Sequence, residues 1–348
     1  MEQPTYQLLI ASYLEEEHVN RIRQVDPRIN VIYRPDLLRS PRYAADHKGE
    51  PNPRSAAQEK EWLALLGQAD ILFDFDQTHI EDLPEVAPKV QWLQATSSGI
   101  GQFVHKHGYD VRMPDTVFTT AKGVHAQPLA EFCLMVMLMF HKGVPRMLKE
   151  QQSKHWERYA GTDLSGRTLV ILGLGSVGQR TAQLAKAFGM NVIGVKRSIE
   201  GQSATALSVD ELYDQSMLSE VLPRAEHLVI ITPHTPETEG LIGQQQIALV
   251  PKGCTFINIG RGAVVDEQAL IAALQSGQIG AAGLDVFQVE PLPQNSPLWE
   301  MPNVLISPHS ASTSDRENSR ITDLFIENTK RFLYQKPLLN VLDTQKRF

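Results

Sequence analysis

The stretch TLVILGLGSVGQRTAQLAKAFGMNVIGVKRS, residues 168–198, decides the fold. An apolar run, Thr168 to Leu172, enters a glycine-rich turn, Gly173 to Gly178, and the turn opens a helical pattern in AQLAKAF. Strand, tight turn and helix in that order make a dinucleotide-binding βαβ unit. A pyrophosphate can rest on the amides of a helix N-terminus only where no side chain blocks it. Gly173 is expected to permit the turn, Gly175 the approach of phosphate with Ser176 and Val177 beside it, and Gly178 the close packing of helix on strand. Val177, Thr181, Leu184, Ala185 and Phe188 fall on one face at helical spacing, and Asn191 to Val195 reads as the second strand.

An acidic residue near the end of that second strand would accept the hydroxyls of an adenosine ribose. This chain has Lys196, Arg197 and Ser198 there. A carboxylate would repel a ribose phosphate, whereas two cations and a hydroxyl bind it, each charged hydrogen bond contributing roughly 1.5–3 kcal/mol. NADP(H) is therefore expected in preference to NAD(H), which stays usable.

A chain of 348 residues exceeds what one compact core organises, so two domains are expected. The net charge of −7, with no long basic run, argues against nucleic acid as a partner. The longest apolar stretch, Phe132 to Phe140, is half a membrane span, and no membrane partner is expected. Glu2 and Gln3 stand where a secretory signal would be basic, and Cys133 and Cys254 lie far apart in apolar segments. A reduced, cytoplasmic enzyme without a metal site is the expectation.

Strand-like runs at Tyr6–Ala11, Asn30–Tyr33, Ile71–Phe75, Trp92–Ala95 and Val117–Thr119 alternate with helical stretches at Glu15–Val25 and Gln58–Leu66. They predict a smaller parallel α/β domain of their own. Pro35 to Ser55, proline-rich and charged, interrupts it as an ordered surface excursion or flap, with Tyr43 or His47 as its candidates for touching substrate. Pro128 to Phe140 reads as a long apolar helix, and the mixed segment Gly143–Gly166 as an excursion serving a partner subunit. Further strands are expected at His227–Thr232, Thr255–Ile259, Gly280–Val286 and Val304–Ser307, then an amphipathic helix, Asp315–Tyr334. That helix can return to the first domain, so a Rossmann domain, 123–312, would be inserted in a flavodoxin-like substrate domain, 1–122 plus 313–348, with hinges near Lys122 and Ala311.

Three residues suited to chemistry each follow a strand: Arg261 closes FINIGRG, Glu290 follows GLDVF and His309 follows NVLISP. Taken singly each also fits a structural part, the arginine as a salt-bridge partner, the histidine as a surface group, the glutamate as the start of a turn before Pro291. Their occurrence after three strands of one dinucleotide domain, at the edge where open α/β sheets bind ligands, favours function.

The motifs GLGSVG (173–178), TPHTPETEGLI (232–242), FINIGRGAVVDEQAL (256–270), GLDVFQVEPLP (283–293) and PNVLISPHSAS (302–312) resemble those of the D-isomer-specific 2-hydroxyacid dehydrogenase family over nearly the whole length. The resemblance implies NAD(P)-dependent reduction of 2-keto acids, two domains flanking a cleft, and a homodimer joined through the cofactor domains near 125–165. It assigns the catalytic roles to Arg261, Glu290 and His309. It also implies a carboxylate anchor from the backbone of Ser98 and Gly99 in ATSSGIG, although Gly101 stands where many relatives carry Asp or Asn. Thr232, Pro233 and His234 would border the adenosine and pyrophosphate, Ile259 and Gly260 the nicotinamide ribose, and Asp285 would accept from the carboxamide.

The groups themselves suit that task. Arg261 offers a planar cation for a carboxylate and its neighbouring carbonyl. His309 is the acid for the alkoxide formed on reduction, and a carboxylate from Glu290 would stabilise its imidazolium and orient the ring. Substrate choice is expected to rest on Ser97–Phe103, the Tyr43–His47 excursion and Trp299, with glyoxylate and hydroxypyruvate first and larger branched 2-keto acids next. Formate is disfavoured, since formate-oxidising relatives carry glutamine in place of Glu290. Phosphite-type oxidation and a nucleotide-sensing, corepressor-like binding protein are the alternatives.

Overall fold

The computed structural model describes residues 5–346 and divides into two compact units, Met1–Val124 with Thr313–Phe348, and His125–Ser312. In the first, strands β1 (Tyr6–Ile10), β2 (Ile29–Ile32), β3 (Ile71–Phe73), β4 (Trp92–Gln94) and β5 (Val117–Thr119) form one parallel sheet in the order β2-β1-β3-β4-β5. This is the flavodoxin-like doubly wound order. Parallel strands are covered on both faces, which is why they read as continuous apolar runs. One face packs Trp62, Leu66, Phe75, Tyr109 and Phe118, and the other Leu14, Val19, Ile22, Ile321 and Phe325. The helix Ala56–Leu66 starts at a reciprocal cap between Ser55 and Gln58. The last helix, Glu317–Leu333, belongs to this unit, with Phe325 against Phe73 and Trp92.

The second unit carries β6 (Thr168–Leu172), β7 (Asn191–Lys196), β8 (Glu211–Asp214), β9 (His227–Ile230), β10 (Cys254–Asn258), β11 (Ile279–Leu284) and β12 (Val304–Ile306). All pair in parallel, in the order β12-β11-β10-β9-β6-β7-β8. The order reverses between β6 and β9, the switch point at which such sheets bind ligands. The helix Ser176–Ala187 covers one face and Glu267–Ser276, capped by Asp266, the other.

One sequence expectation needs correction, and two elements lie where none was expected. Phe188 is the residue after the helix Ser176–Ala187 and is 45% exposed, so Gly178, Thr181, Ala182 and Ala185 form the buried stripe. The edge strand β8, of sequence ELYD, was not read from the sequence, since its four residues are half-buried and form no apolar run. The mixed segment Gly143–Gly166 begins with a helix, Val144–Ser153. Among the described residues no helix is long and apolar enough to cross a membrane.

Candidate active site

In the second unit the turns after five strands stand side by side at the carboxyl edge, each tethered to its neighbour. The Gly173 amide donates to Val195 O, Ile231 to Leu172 O, Ile259 to Ile230 O, Asp285 to Asn258 O and Ser307 to Leu284 O, all at 2.9–3.1 Å. Backbone ladders thus fix the positions from which the side chains project.

The glycine turn fits a nucleotide diphosphate. Gly173 has φ 107°, and a Cβ on Gly178 would lie 2.1 Å from the Gly173 carbonyl oxygen, so that packing requires glycine. A Cβ on Gly175 would meet nothing within 4 Å, which leaves the approach to the helix open. No side chain caps the N-terminus of Ser176–Ala187, so its first amides and the positive end of its dipole are available to an anion. Thr232 Oγ1, in the turn after β9, is buried without a partner among the described residues. Lys196 ends β7 beside Gly173 and donates to Gln202, while Arg197 and Ser198 are exposed. His234 faces Glu239, Ile259 is buried, and a Cβ on Gly260 would lie 2.7 Å from Thr232 O.

The turn after β10 presents Arg261. Asn258, almost fully buried, accepts from the Gly260 amide and donates to Arg261 O, which shapes the turn. A Cβ on Gly262 would lie 1.9 Å from the Phe287 backbone, so this glycine lets the arginine turn lie directly against the segment leading to Glu290. Burial works against the Arg261 cation and lowers its proton affinity, while the Glu290 carboxylate acts in the opposite sense. One Arg261 amino group donates to Gly260 O at 2.7 Å.

Glu290 and His309 meet. His309 Nδ1 lies 2.8 Å from Glu290 Oε2, and Glu290 Oε1 accepts from the Phe287 amide at 3.0 Å. A carboxylate only accepts, so Nδ1 carries a proton and Nε2 is left for a second partner. His309 adopts φ 53°, a left-handed conformation uncommon outside glycine. Asp285 supports it: Oδ1 accepts from Ser307 Oγ at 2.5 Å and from the Ser310 and Ala311 amides at 2.9 Å. Burial raises the Asp285 proton affinity, and these donors oppose that rise.

Arg261, Glu290 and His309 thus lie on adjacent turns of one sheet, and Asp285, read from the sequence as a carboxamide acceptor, holds the histidine turn. Sequence reasoning missed Asn258 and Ser307. A buried asparagine at the end of an apolar strand was the available signal, since it must find partners. Ser98 and Gly99 follow β4 in the first unit. Among the described residues no group of three or more candidate ligands could hold a metal.

Comparison with known proteins agrees with this architecture. The family model for the NAD binding domain of D-isomer specific 2-hydroxyacid dehydrogenases matches residues 134–311. A glyoxylate reductase from Aeropyrum pernix is 34% identical over 296 residues, 81% of this chain and 85% of that protein. A D-3-phosphoglycerate dehydrogenase from Methanocaldococcus jannaschii is 30% identical over 298 residues, covering 85% of this chain and 56% of that protein. The chain spans about half the length of the phosphoglycerate dehydrogenases it matches. A 2-hydroxyacid dehydrogenase from Xanthobacter autotrophicus Py2, solved with NADPH and MES, shares 26% identity and a TM-score of 0.76 over 99% of this chain and 100% of that one. With half its length matched by the family model and the glyoxylate reductase aligned over most of its own length, the chain belongs to the D-isomer-specific 2-hydroxyacid dehydrogenase family.

Proposed function

We propose that the chain reduces a small 2-keto acid to the D-2-hydroxy acid with NADPH. The observation that carries this reading is the 2.8 Å contact between His309 Nδ1 and Glu290 Oε2, on turns next to that of Arg261. The cofactor, when bound, supplies the hydride for the carbonyl carbon. The rest is the work of side chains. Arg261 grips the substrate carboxylate and the carbonyl oxygen, orienting the carbonyl carbon. The negative charge that grows on that oxygen takes the proton of His309 Nε2, and Glu290 stabilises the imidazolium beforehand and holds its ring. The backbone of Ser98 and Gly99 adds a second carboxylate contact, a role that rests on the resemblance alone.

In this reading the pyrophosphate lies on Gly173, Gly175, Ser176, Val177 and Gly178, and the 2′-phosphate on Lys196, Arg197 and Ser198. Thr232, Pro233 and His234 border the adenosine and pyrophosphate, Ile259 and Gly260 the nicotinamide ribose, and Asp285 the carboxamide. The relative solved with NADPH and the one named glyoxylate reductase support NADPH and a small substrate. Met135, Met147, Leu148 and Trp156 are exposed, Trp156 by 96%, which supports the segment near 125–165 as the contact surface of a homodimer. An NADPH oxidation screen over glyoxylate, hydroxypyruvate, pyruvate, phenylpyruvate and 2-ketoisocaproate tests the reading. Turnover is expected first with glyoxylate and hydroxypyruvate, and no turnover with any of them rejects it.

A further inference from the structure

In the first unit the turn after β4 carries Ser98 and Gly99, and it is tied down from both sides. Toward β5 the ties are backbone ones: the Ala95 amide donates to Thr119 O at 2.9 Å and the Ala121 amide to Ser97 O at 3.0 Å. Toward β3 the ladder reaches a last rung from the Asp74 amide to Gln94 O at 2.8 Å. The next rung of a parallel pair would start at the Thr96 amide. That amide meets the Asp74 side chain, whose Oδ1 lies at 3.4 Å, while Oδ2 accepts from the Thr96 hydroxyl at 3.0 Å. A carboxylate thus stands in for a backbone acceptor at the point where the strands part.

The arrangement is costly, which argues for a purpose. Asp74 has φ 69°, in the left-handed region that residues other than glycine seldom enter. Its carboxylate is buried, and both of its oxygens turn to the same threonine. Strained residues of this kind persist where the surrounding structure holds them, and they cluster at binding sites. Thr96 is the last buried residue before Ser97, Ser98 and Gly99, all three exposed. Whatever fixes Thr96 therefore fixes the direction in which the exposed amides leave the sheet. A loop that must be ordered on binding loses affinity, and one held in shape beforehand keeps it.

We propose that Asp74 is a positioning residue, which through Thr96 holds residues 97–99 in shape for the carboxylate of the substrate. This role rests on the reduction proposed above and on the carboxylate contact given there to Ser98 and Gly99, and it names what orders that contact.

Four variants separate the backbone from the side-chain contact. Asp74→Gly adopts the left-handed φ without strain and removes the carboxylate. Thr96→Val keeps the shape of the side chain and removes its hydroxyl. Asp74→Asn tolerates the same φ and keeps both contacts, since its oxygen accepts from the amide and its amino group donates to the hydroxyl. Thr96→Ser keeps the hydroxyl.

In Asp74→Gly and in Thr96→Val, KM for glyoxylate is expected to rise about three- to tenfold, while kcat and NADPH affinity change by about twofold or less. Hydrogen–deuterium exchange over residues 95–100, which needs no turnover, should quicken by a similar factor. Asp74→Asn and Thr96→Ser should stay within about twofold of the native protein in both measurements. A role confined to the fold would lower thermal stability and leave KM alone, so circular dichroism and thermal melting accompany each variant. Native exchange, or a native KM, in well-folded Asp74→Gly and Thr96→Val overturns the proposal. Failure of every keto acid to react would reject the proposed reduction, and exchange alone would then decide whether Asp74 holds the turn.

Discussion

His309 and Glu290 share a hydrogen bond of 2.8 Å, and the second carboxylate oxygen of Glu290 is anchored to the Phe287 amide, so the imidazole leans on a fixed support. Removing the imidazole removes the proposed proton donor. His309→Ala is expected to lower kcat for keto-acid reduction by about 10²- to 10⁴-fold. NADPH affinity, followed by fluorescence titration, should change little. A variant that keeps near-native kcat would show that the proton comes from elsewhere.

Glu290→Gln preserves the shape of the contact and removes its charge. The ring then loses the charged acceptor that holds its Nδ1 proton, and kcat for reduction is expected to fall about tenfold or more while NADPH affinity changes little. Steady-state kinetics and fluorescence titration check this, and a native kcat would take Glu290 out of the relay.

The basic residues after β7 lead to a cofactor prediction. Michaelis constants should favour NADPH over NADH, and Arg197→Ala should raise the constant for NADPH by about tenfold or more, the worth of one charged hydrogen bond. The constant for NADH should barely move. A native preference for NADH would contradict the assignment of Lys196, Arg197 and Ser198 to a phosphate.

Gly262 faces the Phe287 backbone so closely that an added methyl group would lie 1.9 Å from it. Gly262→Ala must push the arginine turn away from the segment that carries Glu290. A loss of about 1–3 kcal/mol in stability is expected, together with a fall in kcat/KM. Urea unfolding and steady-state kinetics measure the two. Native-like stability in this variant would mean that the turns are not in such close contact.

His227 sits fully buried in β9 with its ring centroid 4.8 Å from that of His141, and burial pushes its imidazole down to about 3. An unfolded histidine titrates near 6.5, so as pH falls the unfolded chain takes up this proton first. Its contribution to stability is therefore complete above about pH 6.5 and declines toward pH 3, by up to about 1.4 kcal/mol per unit. Between pH 7 and pH 5 the native protein should lose more stability to urea than His227→Leu does. Parallel losses in the two proteins would rule out His227 as the source.

Most strands and the glycine turn were legible because parallel strands are covered on both faces and their sequences become unbroken apolar runs. β8 was not, since a half-buried edge strand such as ELYD has no such run. Arg261, Glu290 and His309 could be picked out because each follows a strand of one dinucleotide domain. Their support was hidden. The φ of 53° at His309, the three donors on Asp285 Oδ1 and the role of Asn258 depend on hydrogen bonds between segments distant in sequence, which local pattern does not encode. The excursion 35–55 was expected to be ordered, but what orders it was hidden for the same reason: Asp46 and Gly49 act through contacts within the folded loop.

Asp285 ties down the turn bearing the imidazole through a single oxygen, from the end of β11. The backbone posture of residue 309 is thus inherited from the end of a sheet strand. Redesign of substrate preference has to leave 285 and 307 alone, because even a conservative change at either position would disturb the proton donor.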